Sequence, residues 1–276
     1  MSEVNMMPVI TKIKVQKNNK DRYSIFADFG RGEEYAFSVD EDVLIKYQLK
    51  KGMELDDLSV TEMLYQDDIR KAYNMAIQYL AHRMRSEGEV RERLKKKEVA
   101  EPIIQEAIQR LYKHRFLDDL EFAKAFVRTQ MNTTDKGPEL IKMSLKEKGV
   151  KGPVIDESIK EFVVEHQVDK AIELAQKNFI KNHKDSSRFL KQKTEQLLVR
   201  KGYPFNIIQI VMGELDTEKA VGEEMIALKY QAEKLQRKYI KFERYEQKQK
   251  MKQALYNKGF SIDLIEKCLV ELFEDE

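Results

Sequence analysis

One cysteine, Cys268, stands alone among 276 residues, so no disulfide can form within the chain, and a single thiol fits a reducing compartment. It falls eight residues after Phe260, beside an apolar helical face, where a buried structural thiol is expected rather than a reactive one. Five prolines and eleven glycines are few for this length and leave room for long helices. No apolar run approaches the ~20 residues a membrane-spanning helix needs, and Met1-Ser-Glu-Val-Asn5 lacks a signal-peptide pattern. The expectation is a soluble cytoplasmic protein without membrane contact. Four histidines, His82, His114, His166 and His183, are isolated, with no His-x-x-x-His or Cys/His metal spacing. A Gly-rich phosphate loop and a Gly-x-Ser-x-Gly elbow are both missing. The sequence therefore reads as a protein with no cofactor and no metal, and not as an enzyme.

What the chain has in abundance is charge in periodic order. Charged residues make up 36% and apolar residues 42%, yet the net charge is only +2, so distribution matters more than balance. Residues 1–66 hold 9 Lys/Arg against 12 Asp/Glu, which leaves the surplus of positive charge to the rest of the chain. That remainder is organised around a short element, Leu94-Lys-Lys-Lys-Glu98-Val99. It returns as Leu145-Lys-Glu-Lys-Gly149-Val150, Leu198-Val-Arg-Lys-Gly202-Tyr203 and Leu255-Tyr-Asn-Lys-Gly259-Phe260. From the last residue of each copy, apolar side chains follow at offsets of 4, 5, 9 and 12: Ile103, Ile104, Ile108, Leu111 after the first, Leu264, Ile265, Leu269, Leu272 after the last. Those offsets describe one face of a helix. Self-similarity at a near-fixed period of 51 to 57 residues means a repeat architecture. Each Lys-Gly-apolar element reads as the turn between the second and third helices of a unit, with glycine in the left-handed position and the apolar residue tucked back. Glu98, where the other copies have glycine, is expected to shift the first turn.

The first sixty residues read differently. Val9 to Val15 and Tyr23 to Phe29 alternate as strands around Lys17-Asn-Asn-Lys-Asp21, and Glu34 to Val39 offers a third strand. Asp40-Glu-Asp caps a short helix over Val43 to Leu49. Beyond Ser59 only helices are expected. Ser86-Glu-Gly-Glu89 matches a capping box, and Asp118-Asp119-Leu-Glu121 offers a cap before Phe122. Gly137-Pro138 and Gly152-Pro153 open helices in the second unit, and a helix is expected from Thr217 to Phe242 in the fourth. The fold class is mainly α: tandem three-helix repeats forming an elongated curved solenoid, with a small β-rich N-terminal domain. The expected divisions are 1–62, 63–116, 117–166, 167–216 and 217–276.

The second helices carry the cations. Candidate contacts for a polyanion are Arg83, Arg85, Arg91, Lys95, Lys96 and Lys97 in the first unit and Lys148 in the second. Arg188, Lys191, Lys193 and Lys201 follow in the third, and Lys248, Lys250, Lys252 and Lys258 in the fourth. Each lysine of a Lys-Gly element reads first as a cation favoured by the helix C-terminus, and only second as a ligand contact. If equivalent helices line one side of the array, their cations form a groove suited to a DNA backbone or an acidic protein assembly. Phe116, Phe122, Phe126, Phe162, Phe179, Phe189, Phe205 and Phe273 read as core side chains before base-stacking ones.

At Arg83-Met-Arg85-Ser86-Glu-Gly-Glu89, followed by Leu94, the sequence resembles the RecX regulatory proteins. The resemblance continues through Phe116-Leu-Asp118-Asp119-Leu-Glu-Phe122-Ala123, Gly137 and the later Lys-Gly copies, and covers residues 67–276. The first sixty-odd residues resemble the N-terminal extension of longer family members. The resemblance implies a non-catalytic, monomeric modulator of the RecA recombinase. It would engage the RecA–DNA filament, restrain its ATPase and strand exchange in DNA repair, homologous recombination and the SOS response, and contact single- or double-stranded DNA. Two other classes stay open on the residues alone: a DNA-binding repeat protein independent of recombinase, and a general protein-interaction scaffold.

Overall fold

The computed structural model describes residues 7–215 and 220–274, and the chain divides into two compact units. The first runs to Phe122 and includes Lys148–Val150; the second holds Ala123–Glu147 and the residues from Lys151 onward.

In the first unit, β1 (Val9–Val15), β2 (Arg22–Asp28) and β3 (Glu33–Asp40) form one antiparallel sheet in chain order. Alternation puts Ile10, Ile25, Ala27, Phe37 and Val39 on the buried face, where they pack with Leu49, Leu55 and Met63. Asp40 closes β3 and caps α1 (Glu41–Lys46), its carboxylate accepting the Asp42 amide. The sheet is tied to α2 (Asp57–Leu80) by one buried carboxylate. Asp67, fully buried, accepts from the Arg22 guanidinium at 2.8 and 3.2 Å, from the Asp40 amide at 2.7 Å, and pairs with Lys71 at 3.0 Å. Burial alone would push this carboxyl up; the bonds from Arg22, Lys71 and the Asp40 amide outweigh it and hold Asp67 below its ordinary range.

α2 is also the first helix of the first repeat. With α3 (Glu87–Lys95) and α4 (Glu101–Lys113) it encloses Ala72, Tyr73, Ala76, Val90, Leu94, Ile104, Ile108 and Leu111. The capping box forms: the Ser86 hydroxyl accepts the Glu89 amide at 3.1 Å while Glu89 accepts the Ser86 amide at 3.3 Å. The turn after α3 is not shifted by Glu98. The residue takes φ +60°, beside +77° to +85° at Gly149, Gly202 and Gly259. The Val99 amide returns to the Leu94 carbonyl at 3.2 Å, as Tyr203 returns to Leu198 and Phe260 to Leu255. These are Schellman bonds, so backbone hydrogen bonding sets the turn and a left-handed glutamate can join it at a cost.

α5 (Asp119–Thr133) begins in the first unit and runs into the second, which continues with α6 (Pro138–Glu147) and α7 (Gly152–Ser158). The third helix of this repeat is shorter than its apolar spacing suggests. It tightens to a 3₁₀ turn at Ile159–Glu161 and turns extended at Val163, the N-cap of the following helix, leaving Phe162 fully buried as the last core residue. α8 (Val164–Lys181), α9 (Ser187–Arg200) and α10 (Phe205–Glu214) make the third repeat around Leu174, Leu198, Tyr203, Ile207 and Val211. α11 (Val221–Tyr239), α12 (Arg244–Asn257) and α13 (Ile262–Glu274) make the fourth, around Leu228, Met251, Leu255, Phe260, Ile265 and Leu269. Thr217, the expected start of that repeat's first helix, lies outside the described residues.

The Lys-Gly turns meet the preceding repeat. The Ser86 hydroxyl donates to the Lys148 carbonyl at 2.6 Å, and the Ser186 hydroxyl to the Lys258 carbonyl at 2.5 Å. Between them in sequence, the Gly137 amide donates to the Lys201 carbonyl at 2.7 Å and the Glu139 amide to Gly202 at 3.1 Å. In all three joints the lysine carbonyl of one repeat is capped by the start of the previous second helix. A carboxylate from the next repeat's first helix completes two of them: Asp119 accepts the Glu87 amide at 2.7 Å, and Glu224 accepts the Ser187 amide at 3.1 Å. At the middle joint the first helical residue is Pro138, which has no amide to satisfy.

Candidate functional site

Ion-pair geometry separates the candidate cations into engaged and open ones. In the first unit Glu89 gathers three. Arg83 pairs with it at 2.7 Å, Lys148 at 3.6 Å and Arg85 at 4.0 Å. Glu89 is held below the ordinary carboxylate range: burial works against its charge, and the bonds from Arg83 and the Ser86 amide, with the nearby Lys148, more than offset that. Arg85 is the least available of the set. Its guanidinium lies 3.6 Å from the centre of the Tyr79 ring and donates to the hydroxyl of the same residue at 2.9 Å and to its carbonyl at 3.2 Å. Arg91 is clamped by Glu87 at 2.6 Å, Glu101 at 2.9 Å and Gln105 at 2.6 Å, and Lys95 pairs with Glu101 at 3.5 Å. The matched family residues Arg83, Arg85, Ser86 and Glu89 thus form a structural knot at the head of α3.

In the second unit Lys193 pairs with Asp185 at 2.7 Å, Lys201 with Asp135 at 3.3 Å, Lys250 with Glu246 at 3.3 Å and Lys252 with Glu266 at 2.5 Å. Lys248 acts on Glu266 through space and helps hold that carboxyl low, after the Lys252 bond and charge. Lys96 and Lys97 in the first unit, and Arg188, Lys191 and Lys258 in the second, have no ion pair among the described residues. Arg188 stands beside a joint: its Cβ and Cγ lie 3.3 and 3.5 Å from where a Cβ on Gly259 would be, next to Lys258 in the chain. Lys191 lies one helical turn along α9 and lines a shallow depression with Val199, Phe205, Gln209 and Met212. Among the candidate cations of the second unit, those without an ion pair to a described residue are therefore Arg188 and Lys191 on α9, Lys258 in the turn that α9 caps, and Lys248 on α12.

Asp118 caps α5 by accepting the Leu120 and Glu121 amides, both at 3.0 Å, and Asp119, nearly buried, reaches back to α3. Phe122, Phe162 and Phe273 are core residues, but two of the eight phenylalanines are not: Phe116 is 50% and Phe205 72% exposed. Phe205 opens α10 at two residues past Tyr203, off the apolar face that begins four residues past it. Tyr79, Glu87, Glu101 and Glu224 were not singled out from the sequence. Glu87 and Arg91, four apart on one helix, were the available signal for one of these pairs. Among the described residues no group of His, Cys, Asp and Glu could hold a metal ion, and no helix is long and apolar enough to cross a membrane.

Models of known families match along the chain in order. The regulatory protein RecX N-terminal domain matches residues 8–56, and the first and second RecX three-helix domains match 72–111 and 118–159. The third RecX three-helix domain matches twice, over 165–212 and 223–269, so the third and fourth repeats are of one kind. The regulatory protein RecX of Bacillus cytotoxicus is 46% identical over 260 residues, which cover 94% of this chain and 96% of the relative. That of Bacillus velezensis is 44% identical over 265 residues, 96% and 99% of the two chains. A crystal structure of regulatory protein RecX superposes with a TM-score of 0.67 at 34% identity, covering 75% of this chain and 100% of its own. RecX from Lactobacillus salivarius gives 0.53 at 36% identity, over 55% and 98%. With family models across most of its length and relatives matched almost end to end, this chain belongs to the RecX family of regulatory proteins.

Proposed function

We propose that this protein is a non-catalytic, cytoplasmic, monomeric regulator that binds the RecA recombinase filament on DNA and restrains its ATPase and strand exchange. Membership of a family named for regulation supports the class of function. The observation that carries the binding mode is the split among cations. Arg83, Arg85, Arg91 and Lys148 are spent on internal carboxylates, whereas Arg188, Lys191 and Lys258 are left without one among the described residues. Phosphates displace condensed counterions when they meet such side chains, which gives salt-dependent affinity without sequence preference. Four repeats in one chain can bridge successive subunits of a filament. A binder that fits one subunit spacing opposes the conformational cycle tied to ATP turnover.

The test is recombinase ATPase and filament lifetime on single-stranded DNA with the protein added. Slower hydrolysis and altered lifetime are expected; neither changing would sink the proposal. A second reading, DNA binding without recombinase, draws on the same open cations. It predicts binding to bare DNA as tight as to the filament, and a filament preference would exclude it.

A further inference from the structure

We propose that Glu98 and Glu243 are stops that close the two ends of the repeat array against a second copy of this chain. The chain builds its joint three times from the same parts. One half is the start of a second helix, where Ser86, Gly137 or Ser186 donates. All three are buried. The other half is the Lys-Gly turn of the next repeat, which offers the lysine carbonyl and a glycine with no side chain. The glycine is required twice over. Its φ is left-handed, and an added Cβ would sit 2.8 Å from Gly88 Cα at Gly149, 2.7 Å from Leu140 Cγ at Gly202, and 2.8 Å from the Ser186 hydroxyl at Gly259.

Four repeats contain four of each half but make three joints, so one of each half is left over. The unused turn is Lys97–Glu98, where Lys95 to Glu98 are all exposed and no described group bonds the Lys97 carbonyl. The unused helix start is that of α12, whose N-cap is Glu243, exposed and without a cap bond. Glu243 stands twelve residues before Leu255, as Ser186 stands twelve before Leu198, so the positions are equivalent.

Both leftover halves have lost the feature that makes a joint. A carboxylate at 243 lacks the hydroxyl proton that Ser86 and Ser186 give the lysine carbonyl. Its Cβ also fills the space that Gly137 leaves open at the middle joint, where an added Cβ would stand 2.5 Å from the Gly202 carbonyl. A side chain at 98 occupies the space that a docking helix start fills at the other three turns. Bringing the tail of one copy to the head of another would also place two carboxylates together, an unfavourable contact at close range. A stack of alike units with open ends would otherwise extend copy upon copy.

The experiment uses the full chain in sedimentation velocity, with the parent, Glu98→Gly, Glu243→Ser, and an equimolar mixture of the two single variants. Each single variant restores one half of a joint, so each alone, like the parent, is expected to sediment as it does when dilute. The mixture is expected to give a species of twice the mass, and the double variant a concentration-dependent series. Glu243→Gly, which copies the glycine of the middle joint, replaces Glu243→Ser if the latter loses its helical circular dichroism. A mixture that stays at single-chain mass overturns the proposal, as does a parent that already associates through these ends.

Discussion

Replacing Gly149 by alanine tests whether the repeated turn is a joint or merely the end of a helix. At φ +77° a side chain costs about 1–2 kcal/mol in left-handed backbone conformation. The new Cβ would stand 2.8 Å from Gly88 Cα, so backbone must move apart, and the 2.6 Å bond from Ser86 to the Lys148 carbonyl lengthens with it. Losing that bond adds roughly 0.5–1.5 kcal/mol. The expected loss is about 2–3 kcal/mol, concentrated on α3. Glu98→Gly is the matched comparison. Its φ of +60° belongs to the same region, but nothing docks there, so relief of strain is set against the freedom glycine gains in the unfolded chain. The net effect is expected within about 1 kcal/mol of zero. Urea unfolding followed by circular dichroism reads the midpoint, and hydrogen exchange of the Glu87–Lys95 amides reads the joint locally. Unchanged α3 protection in Gly149→Ala, or equal shifts in the two variants, would refute the reasoning.

Three further outcomes follow from other residues. Asp67→Asn leaves Arg22 without its buried partner and is expected to destabilise the N-terminal sheet and α2 by about 3 kcal/mol, read by urea unfolding near neutral pH. Because the folded carboxyl titrates below its ordinary value of about 3.9, its contribution is complete above that pH and fades as the pH falls toward the folded value. Repeating the unfolding in steps below pH 4 should therefore show the gap between parent and variant narrowing, roughly from there downward. Tyr203, whose buried hydroxyl has no hydrogen-bond partner among the described residues, sits where Phe260 sits in the fourth copy. Its phenol is pushed up to about 12, by burial first and then by Asp135 and Glu173. Tyr203→Phe is expected to be neutral or stabilising by up to about 1 kcal/mol in thermal unfolding. Cys268 is buried, its thiol pushed up chiefly by that burial, so a thiol reagent should label it only as fast as the fourth repeat opens.

Much of the fold was legible because its signals are side-chain signals. The apolar offsets of 4, 5, 9 and 12 fixed which face each third helix buries, and Ile104, Ile108 and Leu111 lie buried together for that reason. The strand alternation at Val9–Val15 and the Ser86–Glu89 capping box are of the same kind. What the Lys-Gly element does was hidden because the lysine acts through its main-chain carbonyl, and a carbonyl is common to every residue. Only glycine left a trace, and a helix terminator accounts for glycine without any docking. The candidate surface was half legible for a related reason. Sequence counts Arg83 and Arg91 as cations alike with Arg188, but the carboxylates that engage them include Glu101, ten residues from Arg91, which only folding brings near. The shortening of α7 escaped the apolar spacing because Phe162 keeps its buried place through a 3₁₀ turn instead of a helix.

The most direct test of the functional account is binding to recombinase filaments on single-stranded DNA, titrated against salt, for the parent and for the double reversal Arg188→Glu with Lys191→Glu. Lys193→Ala with Lys252→Ala, which removes two internally paired cations, is the control. The account predicts at least roughly tenfold weaker binding for the reversal and a salt slope lower by about two, with the control near the parent. Equal affinity and slope for parent and reversal, or a parent that does not bind the filament, would contradict it.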